Sequence, residues 1–75
     1  MKVNFVDLLG KKYSLEVNYG DKIKAICDKL FEKVGGKDKY PNGIKLVINA
    51  QILDDNKTIK DYKIKNGDNF NIIPA

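Results

Sequence analysis

The chain reads as an α+β domain: a mixed sheet of four or five strands with one helix packed across one face, in the order ββαβ(β)β. Three observations predict this. Apolar side chains alternate with polar ones in short segments near both ends of the chain, the mark of strands with one buried face. A single central segment switches to helical spacing, and its apolar positions form one stripe. Seventy-five residues are enough for one domain, residues 1–75, built around one core.

Residues 2–7, KVNFVD, place Val3 and Phe5 on one face, and residues 12–17, KYSLEV, do the same with Tyr13, Leu15 and Val17. Gly10 lies between them, so the pair reads as a hairpin with a short Gly-containing loop. Residues 22–34, KIKAICDKLFEKV, carry Ile23, Ile26, Cys27, Leu30 and Val34 at helical intervals. Asp21 stands where a side chain can cap the first turn, and Gly35 and Gly36 stand where a helix ends. KDKYPNG, 37–43, reads as a loop through Pro41 and the Asn42–Gly43 pair. IKLVI, 44–48, and QIL, 51–53, follow as strands. NFNII, 69–73, is the last, stopped by Pro74, which has no N–H for a ladder.

Residues 54–68, DDNKTIKDYKIKNGD, are the puzzle, since so long a polar link between two strands looks like a loose loop. Ile59, Tyr62 and Ile64 argue otherwise. Asp54 to Asn56 read as a turn and TIKDY as a helical turn that drops Ile59 into the core. Tyr62 is expected to hydrogen-bond the backbone of its own loop, because an inward phenol needs a polar partner.

Composition excludes several functions. There is no His and one Cys, so neither a zinc finger nor a Cys–His nucleophile can be assembled within the chain. Cys27 cannot form an internal disulfide, and its place on the apolar helix face predicts a buried, inert thiol. No catalysis is expected, and no cofactor. The net charge is +4, all fourteen basic residues are Lys, and they are spread along the chain. Binders of nucleic acid concentrate Lys and Arg on one face and read bases with Arg, so these lysines read as a solvated surface. Tyr13, Tyr19, Tyr40 and Tyr62 form no expected base-stacking platform, with Tyr13 and Tyr62 inward and Tyr40 in a loop. Asp7, Asp54 and Asp55 read as solvated turn carboxylates. No apolar run approaches the roughly 18 residues of a membrane span, and MKVNFVDLLGKK has no secretory core. A cytoplasmic or nuclear monomer is expected, with neither membrane nor nucleic acid as partner.

LLGKKYSLEV, GDKIKAICDKL, IKLVINAQILDD and KTIKDYKI resemble the ubiquitin pattern over nearly the whole chain, with one small insertion around 36–43. The resemblance implies the β-grasp fold, with Val3, Phe5, Tyr13, Leu15, Val17, Ile23, Ile26, Leu30, Leu46, Leu53, Ile59, Ile64, Phe70 and Ile72 inward. KNGDNFNII is similar to the K-x-G-D-x-hydrophobic ending of the integral N-terminal ubiquitin-like domains of proteasome shuttle proteins. The chain ends NIIPA rather than in Gly-Gly, and Gln51 and Asn66 stand where the family's chain-building lysines align. At Cys27 ubiquitin has a lysine that pairs with the acid aligned to Asp55, so Asp55 is expected to face water or cap a turn.

The resemblance also implies a docking face for proteasomal ubiquitin receptors or ubiquitin-interacting helices. Its expected members are Leu8, Val47 and Ile73, with Lys45, Ala50 and Asn71 as neighbours; Gln51 also aligns beside them. The residues support part of this independently: if Leu46 and Ile48 lean to the core, Val47 points away from it. Lys45 and Lys11 are expected to rim the patch. Two other readings are a conjugated modifier whose Gly-Gly tail is missing from these residues, and an RNA-binding ubiquitin-like domain of the kind found in splicing proteins.

Overall fold

A computed structural model describes residues 1–75. The elements run β1 (Lys2–Val6), β2 (Lys12–Glu16), α1 (Ile23–Lys33), α2 (Gly36–Lys39), β3 (Ile44–Ile48), β4 (Gln51–Ile52), a 3₁₀ turn (Lys60–Tyr62) and β5 (Asn69–Pro74). One five-stranded sheet has the order β2-β1-β5-β3-β4. The central strand, β5, runs parallel to its neighbour β1, and the remaining pairs are antiparallel. The mixed sheet and the helix across it are the arrangement expected from the sequence.

The core lies between sheet and helix. Phe5 sits beside Phe70 in the β1–β5 register, and the two rings stack with centroids 5.2 Å apart. Ile23, Ile26, Cys27, Leu30 and Val34 are all buried, so the helical stripe covers the sheet as the spacing requires. Tyr13 and Leu15 are only half-buried against this core, because β2 is the outer strand.

Several local expectations are corrected. Asp21 does not cap α1: its carboxylate accepts from the Asn18 N–H at 2.9 Å. The first amides of α1 are instead satisfied by the polar crossover, Ile23 N–H donating to Lys57 O at 2.9 Å and Lys24 N–H to Asp55 O at 3.2 Å. Backbone carbonyls serve a helix start as well as a side chain does, and only the fold brings them there. The segment 37–43 is not all loop, since Gly36–Lys39 form a short helix and Tyr40 is buried in the core. Pro74 lies inside β5, opposite Ile44, rather than beyond it. Ala75 N–H bonds Gly43 O at 3.0 Å, so Pro74 occupies the intervening non-bonded position. Its missing N–H points away from β3, on the side where β1 has already turned.

The crossover is as ordered as its three apolar residues predict. The Asn56 N–H donates to Asp54 Oδ1 at 2.8 Å and closes the turn. Thr58 N–H donates to Asp61 Oδ2 at 2.9 Å while Asp61 N–H donates to Thr58 Oγ1 at 3.2 Å, a reciprocal cap on the 3₁₀ turn. The Thr58 backbone N–H first, and the Thr58 hydroxyl second, favour the ionised form and hold the Asp61 carboxyl below its ordinary range. Ile59 and Ile64 are buried, and the Tyr62 hydroxyl accepts from the Asp54 N–H at 2.7 Å.

Candidate protein-docking face

Side chains alternate across a strand, so burial of Val3, Phe5, Leu46, Phe70 and Ile72 turns their neighbours to the opposite face of the sheet. The register then places those neighbours in rows. Ile52 is opposite Val47, Val47 is opposite Asn71, Asn71 is beside Val6, and Val6 is opposite Lys12. Lys45 and Ile73 form the next pair along β3 and β5. Val6, Val47 and Ile73 are half-exposed, and Ile52 is 60% exposed.

The β1–β2 turn adds two more apolar side chains. Asp7 is buried, contrary to its reading as a solvated carboxylate. Its Oδ1 accepts from the Leu9 and Lys11 N–H groups, both at 2.9 Å. Gly10 closes the turn at φ +83°, its N–H on Asp7 O at 3.0 Å. With the backbone folded over Asp7, Leu8 and Leu9 are left outside, at 68% and 81% exposed. The turn continues β1 toward the end of the sheet at which its parallel neighbour β5 carries Ile73.

Ala50 is at the tip of the β3–β4 turn. Asn49 and Ala50 both have positive φ, +53° and +63°, and together form a two-residue hairpin loop of the type that matches strand twist. Of the six residues singled out from the sequence, register puts Lys45, Val47, Asn71 and Ile73 on one face. Ala50 and Leu8 sit in the turns that adjoin it. Ile52 was missed, although a two-residue loop pairs Ile48 with Gln51 and so Val47 with Ile52.

Lys45 does not simply rim the patch. Its backbone belongs to the outer face, but its ammonium pairs with Asp55 at 3.5 Å. Asp55 is half-buried: its side chain still meets water, but Oδ1 is enclosed and unpartnered, and the carboxylate caps no turn. The neighbouring Cys27 thiol is pushed up to about 11 by burial first, then by Asp55, with Lys45 opposing. A thiol so raised stays protonated at neutral pH, as its inert reading requires. Tyr40 is also raised, by burial first and then by Asp7 and Tyr13.

A helix packed on a mixed five-stranded sheet, with that element order and that crossover, defines a small ubiquitin-like β-grasp domain. The ubiquitin family model matches residues 2–73, nearly the whole length, and the chain belongs to that family. A search of the curated proteins finds no match.

Proposed function

We propose that this is a non-catalytic protein-interaction module that docks a larger protein onto proteasomal or ubiquitin-pathway receptors through the outer face of its sheet. The observation that carries the proposal is the apolar pair of Val47 with the 60%-exposed Ile52, extended by Ile73 and by Leu8 in the adjoining turn. Exposed aliphatics that share one face of a small domain are a candidate partner site rather than scattered surface. A net charge of +4 favours an acidic amphipathic helix as the partner.

Titration of the labelled domain with a ubiquitin-interacting helix tests this by amide shifts. The expected shifts centre on Leu8, Val47, Ile52 and Ile73. Val47→Asp removes an apolar contact and forces a carboxylate into it, which should weaken binding about a hundredfold while the spectrum stays folded. Unchanged affinity in a folded Val47→Asp domain would overturn the assignment, as would shifts confined to another surface.

A further inference from the structure

We propose that the free edge of β2 is a self-complementary surface on which a second copy of the chain adds its own β2, antiparallel and centred on Ser14. β2 ends the sheet and neighbours no element except β1. Its ladder to β1 is bracketed by Val17 N–H on Met1 O at 2.8 Å, the Met1 ammonium on Val17 O at 2.9 Å, and Asp7 N–H on Lys11 O at 3.0 Å. Bonded pairs in an antiparallel ladder alternate. Tyr13 and Leu15 therefore bond inward to β1, and the N–H and C=O groups of Lys12, Ser14 and Glu16 point out from the edge, unpaired by the sheet.

The strand reads KYSLE, and its chemistry is symmetric about the central serine. With Ser14 opposite Ser14 of the second copy, Lys12 falls opposite Glu16 of the second copy, and Glu16 opposite its Lys12. On the other face Tyr13 falls opposite Leu15 of the second copy, a pair of half-buried apolar side chains extended by its twin. Every outward backbone group of β2 finds a partner in this register. A slip of two residues in either direction leaves Lys12 and Glu16 of both copies without an opposite charge across the strands. Two contacts already made by these side chains are compatible with it. Glu16 Oε2 lies 3.4 Å from the Met1 ammonium, which leaves Oε1 for the second copy. The Lys11 ammonium lies over the Tyr13 ring, 5.6 Å from its centre, and not across the edge.

Such a pair is isologous, with its twofold axis perpendicular to the sheet. The two sheets become continuous and both outer faces look the same way. An interface of two short strands is far below the standard size, so the dimer is weak, with Kd on the order of 0.1–1 mM. The monomer expected from the sequence is then the dilute form.

Sedimentation equilibrium and amide spectra over about 0.05–2 mM of the 75-residue chain test the proposal. A monomer–dimer equilibrium is expected, with shifts at the Lys12, Ser14 and Glu16 amides. Lys12→Glu and Glu16→Lys each set like charges opposite one another twice and should weaken the dimer at least about tenfold. The double variant Lys12→Glu/Glu16→Lys restores opposite charges and should return the dimer to near its original strength. Amide spectra confirm that each variant is folded. A monomer throughout the range overturns the proposal. So does a dimer indifferent to the single reversals, a double variant as weak as the singles, or shifts centred on Val47.

Discussion

Ala50→Gly should stabilise the domain. Ala50 has φ +63°, where its Cβ crowds the following carbonyl, and such a conformation costs about 1–2 kcal/mol for a residue with a side chain. The methyl group is exposed, so removing it sacrifices no core contact. Glycine relieves the strain but adds freedom to the unfolded chain, which subtracts about 0.4–1 kcal/mol. The net gain is about 0.5–1 kcal/mol. At an unfolding entropy of about 2.1 cal/mol/K per residue, that is a rise of roughly 3–6 °C in Tm. Urea unfolding should show a higher midpoint at unchanged slope. Asn49→Gly is the control: Asn49 also has positive φ, +53°, but Asn adopts this region readily, so its replacement should gain nothing. If Ala50→Gly lowers the midpoint, or Asn49→Gly raises it equally, strain at Ala50 is not what limits this turn.

Two further outcomes follow from single groups. Tyr62→Phe deletes the acceptor of the Asp54 N–H, 2.7 Å away, and should cost about 1 kcal/mol while speeding hydrogen exchange at the Asp54 amide; an unchanged Asp54 exchange rate would contradict the pinning role. The Cys27 thiol titrates at about 11 when folded but near the ordinary thiol value of 9.0 when unfolded, so above 9.0 the unfolded state holds fewer protons. Its contribution to stability is therefore full at neutral pH and declines as pH rises through the window from 9.0 to about 11. Cys27→Ala should lack that component of the alkaline decline, and equal pH dependence in the two proteins would show that the thiol is not held up by the fold.

What was legible in the sequence depended on range. The stripe from Ile23 to Val34 and the strand pairs Val3–Phe5 and Phe70–Ile72 were readable because periodicity is a local property, and all of them are buried. Tyr40 and Ile44 were not placed in the core. The first follows a single helical turn too short to show a period; the second shares the inward face with Leu46 by strand alternation, so its burial was legible and went unread. The α1 start was misassigned to Asp21 because the carbonyls of Asp55 and Lys57 arrive from some thirty residues away along the chain, and no local rule sees them. Asp7 looked like a surface turn acid. Its burial follows from the turn folding two N–H groups onto it, which offsets the desolvation of one oxygen, while Oδ2 stays enclosed without a partner. At the outer face, Val47 was readable from alternation alone, and Ile52 required counting through the Asn49–Ala50 turn.

Lys45 shows how one departure from the family pattern reaches the candidate site. Where the resemblance implies a helix lysine beside the acid at Asp55, this chain has Cys27, which cannot pair with it. The acid is nonetheless enclosed on one side, with Oδ1 shut off from solvent. β3 has β4 beside it only at Val47 and Ile48, so the strand at Lys45 has an open edge. The Lys45 side chain can pass that edge and reach Asp55 at 3.5 Å. Both side chains remain more than a third exposed, so the pair is worth at most about 1 kcal/mol. That is a small hold on the only lysine of β3. A partner presenting a carboxylate next to Val47 competes with Asp55 for the ammonium on nearly equal terms. The charge at this side of the face is thus supplied on demand rather than displayed, and the apolar row from Ile52 through Val47, with Ile73 beside it, is its permanent feature.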